Sequence, residues 1–197
     1  MSDASETTRN WVSVARAWWR ALQPHDDQGR PNWSGDRGAL ARLRRASSPA
    51  DALVEPAVLD LYRKLGFLGL SGERLALTAV AAITLAHVRK DDRNKHPAAS
   101  VGRAIFADKE FETAAMKPMR FQRLLSARGP DDLVREMRRL VQLAENEIDV
   151  GRLAADILNW RDDEAGDRTR TRWAYEYLAA GRDAPDADST PTASPEL

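Results

Sequence analysis

Pro130-Asp131-Asp132-Leu133-Val134-Arg135-Glu136-Met137-Arg138-Arg139-Leu140-Val141-Gln142-Leu143-Ala144-Glu145 reads as one α-helix, and that reading sets the fold class. At about 100° per residue, Leu133, Val134, Met137, Leu140, Val141 and Ala144 form a single apolar stripe. Pro130 suits the first turn, where its missing N–H costs nothing, and Asp131 and Asp132 sit at the positive end of the helix dipole. Away from the stripe, Arg135, Arg138 and Arg139 lie within about 100° of one another. One side is for burial, and the other offers three guanidiniums to a ligand or to solvent.

The same spacing continues in both directions, and no alternating run is long enough to argue for a sheet. The expected fold is all-α, two packed helical bundles in one chain followed by a disordered C-terminal tail. Trp11, Val14, Ala15, Trp18 and Leu22 mark a first helix that ends before Pro24. Asp36 can cap a short helix over 37–46, Pro56 opens another that stops at Gly66, and Ser71 can cap the apolar helix reaching about Val88. The charged, proline-containing stretch 89–100 reads as an exposed loop. Pro118 opens a helix toward Gly129, Asp149 can cap one carrying Leu153, Ile157 and Trp160, and an acidic turn at 161–167 leads to the last helix, with Trp173 and Tyr177. The expected division is 8–112 for the first bundle and 113–182 for the second, with the boundary inside 107–118. Residues 183–197 lack periodicity and form the expected acidic disordered tail. The tryptophans fall mostly at core spacing, except that Trp19 adjoins the core-facing Trp18 and should point partly toward a partner or another domain.

Composition narrows the function classes. The 197 residues carry 30 basic and 30 acidic side chains, so no net field announces a polyanion partner. Four of the acids lie beyond residue 182 with no base among them, which leaves the helical part mildly basic. Cysteine is absent, excluding disulfides, thiolate metal sites and thiol nucleophiles. The N-terminus shows neither a basic leader nor an apolar segment, and the longest apolar stretch is broken by threonines and a histidine, so a cytoplasmic protein without membrane association is expected.

The positive charge is gathered in strips. Gly35-Asp36-Arg37-Gly38-Ala39-Leu40-Ala41-Arg42-Leu43-Arg44-Arg45-Ala46 places Arg37, Arg42, Arg44 and Arg45 on one short helix with no acid after its cap. A solvated helix usually interleaves Glu for i,i+4 pairing, and here none does so. Lys117, Arg120 and Arg123 recur every third residue around Phe121, Leu124 and Leu125. Arg89, Lys90, Arg93 and Lys95 form a further cluster with Asp91 and Asp92 inside it. Arginine in this number suits bidentate contact with phosphate oxygens, and the scarcity of interleaved aromatics favours backbone contact over base stacking. The plain alternative is a set of arginines paired with acids that the fold brings in.

An enzyme would have to be built from His25-Asp26-Asp27, His87, His96 and the acids Asp162, Asp163 and Glu164. These supply no nucleophile with its base and no facing set of metal ligands, and no phosphate-binding glycine loop or HExxH helix occurs. A non-catalytic protein without metal or cofactor is expected.

Trp18-Trp19-Arg20-Ala21-Leu22, the 35–46 arginine helix, Arg120-Phe121-Gln122-Arg123-Leu124-Leu125, Leu153-Ala154-Ala155-Asp156-Ile157-Leu158-Asn159-Trp160 and Trp173-Ala174-Tyr175 together resemble the CasB family, in order and spacing. That family is the small subunit of the type I-E CRISPR surveillance complex, Cascade, and the resemblance runs from about Trp11 to Leu178. It implies an all-helical, non-catalytic protein that dimerises inside Cascade beside the backbone and large subunits. It further implies basic surfaces that stabilise target DNA unwound by pairing with the crRNA. The positions that carry over are Arg37, Arg42, Arg44, Arg45, Arg120 and Arg123. Lys117, the 89–93 cluster and the face of Arg135, Arg138 and Arg139 rest on pattern alone. A helical DNA-binding regulator is the alternative; it would need a recognition helix offering Asn, Gln or Arg to base edges at dimer spacing.

Overall fold

A computed structural model describes residues 2–25, 30, 32, 35–67, 69–102 and 114–180, with side chains from residue 10 onward. The fold is all-α. In order, the elements are α1 (Ser2–Leu22), α2 (Arg37–Arg45), α3 (Pro49–Leu53), α4 (Pro56–Lys64), α5 (Gly72–Ala86), β1 (Lys90–Asp91), a 3₁₀ turn (Ala99–Val101), α6 (Pro118–Ser126), α7 (Pro130–Leu143), β2 (Glu147–Ile148), α8 (Val150–Asn159) and α9 (Asp163–Ala179).

The helix starts are written locally. The side chains of Asp36, Ser71, Asp149 and Asp162 each accept from a first-turn N–H, and prolines open α3, α4, α6 and α7. Ser48 and Asp51 form a reciprocal capping box on α3, a helix the apolar spacing did not announce.

The apolar faces then cover one another. From Leu77 to Ala86, α5 is buried on every side, and it packs against α2, α3, α4, α7 and α8. The first helix lies along α8, in the most extensive contact between elements. The backbones meet closely there: a Cβ at Gly151 would stand 2.6 Å from Val12 Cγ1 and 2.7 Å from the Val12 carbonyl oxygen. The buried residues form one contiguous cluster from Trp11 to Tyr177, so the two halves of the chain close each other's cores. The expected boundary inside 107–118 falls largely outside the described residues, as do Trp33, Asp26, Asp27 and the tail 183–197.

Four local expectations are corrected. Stretch 89–100 is not simply an exposed loop. Lys90 and Asp91 pair in parallel with Glu147 and Ile148, and the Asp91 side chain is only 3% exposed. Arg16 Nε lies 2.8 Å from Asp91, and the Val150 N–H donates to Asp91 Oδ1 at 3.0 Å, so partners distant in sequence draw it inward. Second, α7, expected to reach about Glu145, stops at Leu143, because Glu145 (φ 60°) and Asn146 (φ 62°) adopt left-handed backbone and swing the chain into β2. The acidic turn is also shorter than expected, since Asp162 caps α9 and Asp163 already belongs to it. Finally, Trp19 is buried, at 4% exposure, within the shared core.

Candidate nucleic-acid interface

The short helix α2 seats Ala39, Leu40 and Leu43 in the core and leaves Arg37, Arg42, Arg44 and Arg45 outside. Their surroundings then diverge. Arg42 Nε lies 2.8 Å from both oxygens of Glu55, a buried residue, and this hydrogen bond raises the arginine's pKa. Among the described residues, Arg45 bonds its own helix, at the Ala41 carbonyl. Arg37 is exposed.

Arg44 turns toward α5 and donates from Nε to the Ala86 carbonyl, at 2.6 Å. On α7, Arg138 reaches back and donates from Nη2 to the carbonyls of Arg44, at 2.8 Å, and Ala46, at 2.5 Å. Each guanidinium therefore sits at the carbonyl end of a neighbouring helix, the end whose dipole favours a cation. Burial lowers the pKa of both, and the positive charge of Arg89 adds to the effect at Arg44.

His87 caps the end of α5 beside them. Burial, then Arg138, then Arg44 push its pKa down to about 4, against a weaker opposing contact with the Arg44 backbone. The ring is thus neutral at pH 7, and its Nε2 is buried without a hydrogen-bond partner. His87 entered the sequence reading only as a possible metal ligand. Its place after an apolar helix and two residues before Arg89 was the available signal for this cationic junction.

The remaining strips separate into neutralised and free charges. On α7, Arg135 pairs with Asp132 at 2.9 Å and Arg139 with Glu136 at 3.4 Å. Lys90 and Lys95 share Glu147, which lowers that carboxyl's pKa through both hydrogen bonds. Phe121 and Leu124 anchor α6, with Phe121 stacked on Tyr177 at a centroid distance of 4.0 Å, so Lys117, Arg120 and Arg123 are held outward. Together with Arg37, Arg89 and Arg93, these three are exposed and have no acidic partner among the described residues. The structure thus brings Arg138 to the end of α2 and Arg44 to the end of α5, ties Arg42, Lys90, Arg135 and Arg139 to acids, and leaves the α6 strip on its own helix.

The residues considered for catalysis are dispersed. His96 Nε2 meets Arg152 Nη1 at 3.1 Å, Asp162 is a helix cap, Glu164 pairs with Arg168, and His25 is exposed. Among the described residues, no three His, Cys, Asp or Glu side chains group as metal ligands, and no helix is long and apolar enough to cross a membrane. What the arrangement offers is charge-assisted hydrogen bonding to oxyanions from planar guanidiniums held on a rigid core.

No curated protein and no solved structure matches this chain. Residues 39–178 match the family model described as CRISPR-associated protein Cse2, a span from within α2 to the last turn of α9. Because the match covers well over half of the 197 residues, the chain belongs to the CRISPR-associated Cse2 (CasB) family, whose members are subunits of the CRISPR Cascade complex.

Proposed function

We propose that this subunit is non-catalytic and stabilises the R-loop of a type I-E Cascade by holding nucleic acid through its basic surfaces without reading sequence. The carrying observation is the set of exposed cations Arg37, Arg93, Lys117, Arg120 and Arg123, which have no acidic partner among the described residues. Arg44, held through Nε by the Ala86 carbonyl and acted on by the positive charge of Arg89, extends the same chemistry. Spaced cations with little aromatic interleaving suit a sugar-phosphate backbone, while crRNA pairing supplies the sequence reading. In this reading the partners are the backbone and large Cascade subunits, a second copy of the chain, the crRNA and the target DNA, and the work is done in the cytoplasm.

A subunit that prefers unwound DNA tightens target binding only by its differential affinity for that form. Cascade lacking it should therefore bind crRNA normally but form R-loops more weakly. Replacing Arg37, Arg93, Lys117, Arg120 and Arg123 with Gln in an otherwise complete complex should reproduce the defect. Footprinting of R-loops in the three complexes is the test, and identical footprints would overturn the proposal.

A further inference from the structure

Phosphate contacts alone do not make a strand-holding subunit favour unwound DNA. A duplex carries one negative charge per about 1.7 Å of its axis, a denser line than a single strand, so bare cations by themselves prefer the duplex. A preference for the unpaired form needs a contact that pairing hides, and base faces are what stacking in a duplex covers.

The outer face of α6 holds a side chain suited to that contact. Phe121, at 4% exposure, and the fully buried Leu124 fix how the helix is rotated against the core. Met119 lies two residues before Phe121, about 200° round the helix, and is 80% exposed. Gln122 and Arg123 follow it by three and four residues and so share its face, and Arg120 adjoins it; all three are exposed. From Ala114 to Pro130 the chain holds Lys117, Arg120, Arg123 and Arg128 and no acid. Other exposed apolar side chains stand differently: Val54 adjoins Glu55, Leu59 adjoins Asp60 and Tyr175 adjoins Glu176. A bare thioether set among cations, with no acid on its helix, complements a polyanion that also offers aromatic surface. An unpaired nucleic-acid strand has both.

We infer that Met119 packs against the base faces of an unpaired strand whose phosphates are held by Arg120 and Arg123, and that this contact makes the subunit prefer single-stranded to duplex DNA. The inference rests on the nucleic-acid reading above and adds to it the residue that discriminates. Thioether groups pack favourably on aromatic rings, and the unbranched, flexible side chain adapts to any base, so no sequence is read. In a duplex the same contact would first require a base step to be prised apart, which an R-loop has already done.

The test uses the full chain with three probes of equal length: oligothymidylate, an abasic strand and a duplex. With four methionines in the chain, the Met119 methyl resonance is assigned in protein labelled at the methionine methyls by its loss in Met119→Gln. Oligothymidylate should move that resonance upfield through the ring current of a base, and the abasic strand, with the same phosphates, should leave it near its free position. By anisotropy, Met119→Gln should weaken binding of oligothymidylate about fivefold and of the duplex less than about twofold. It removes no charge, so the salt slope should stay unchanged, whereas Arg120→Gln with Arg123→Gln should flatten the slope for strand and duplex alike. If oligothymidylate binds without the upfield shift, or if strand and duplex weaken equally, the inference is overturned while the nucleic-acid reading stands. If none of the three probes binds at low salt, that reading fails as well. If Met119→Gln leaves strand binding intact but loosens the subunit from assembled Cascade, the face meets a protein and the assignment to a strand is overturned.

Discussion

Arg138 and Arg120 are the same residue type on neighbouring helices, with opposite roles. Two carbonyls at the end of α2 depend on Arg138, whereas Arg120 is exposed on α6 and touches no acid among the described residues. Hydrogen bonds from a charged donor contribute about 1.5–3 kcal/mol each way of counting, and their loss strands carbonyls that water reaches poorly. Arg138→Ala should therefore lower unfolding stability by about 1.5–3 kcal/mol, against about 0.5 kcal/mol or less for Arg120→Ala. Urea unfolding of both variants checks this, and equal stabilities would show that the carbonyl bonds are idle. The sequence reading had treated Arg135, Arg138 and Arg139 as one face. In the fold, two of them are paired within a turn of their own helix and the third fastens α7 to α2.

At the scale of elements, the decisive contact is α1 against α8. Gly151 permits the close approach, and beside it Arg16 bridges Asp91 of β1 and Asp149, the cap of α8, with Nη2 2.7 Å from Asp149 Oδ1. A methyl group at 151 would press on the Val12 backbone oxygen, which no rotamer change relieves. Gly151→Ala should cost about 1–3 kcal/mol through overpacking. Gly72→Ala is the control, since a Cβ there meets nothing within 4 Å and should change stability by about 0.5 kcal/mol or less. Denaturant midpoints with unchanged slopes would establish the difference, and equal midpoints would place the two helices farther apart than described.

For the whole molecule, zero net charge hides an uneven distribution, because acids neutralise Arg42, Lys90, Lys95, Arg135 and Arg139, whereas Arg37, Arg93, Lys117, Arg120 and Arg123 have no acidic partner among the described residues. Binding to a strand should accordingly weaken with salt. The log–log slope should reflect the bare cations, about 0.7 per phosphate contacted on single-stranded DNA. Joint replacement of Arg37, Arg93, Lys117, Arg120 and Arg123 by Gln should flatten that slope while moving the thermal midpoint by less than about 4 °C. Anisotropy titrations at several salt concentrations measure the slope. An unchanged slope in the variant would remove these residues from the interface.

The sequence by itself determined most of the helices and the family. Caps such as Asp36, Ser71 and Asp149, and prolines such as Pro118 and Pro130, act within one turn of the residues they organise, so their signals are complete in a short window. The tertiary structure alone decided which charges are bare and which are spent. Glu55 reaches Arg42, Arg16 draws Asp91 out of an apparent loop, and Asn146 turns the chain so that β2 can meet β1. It also decided that the charges acting on His87 are those of Arg44 and Arg138. A side chain's charge is written in its identity, but the field it sits in comes from groups far along the chain that only packing brings within a few ångströms.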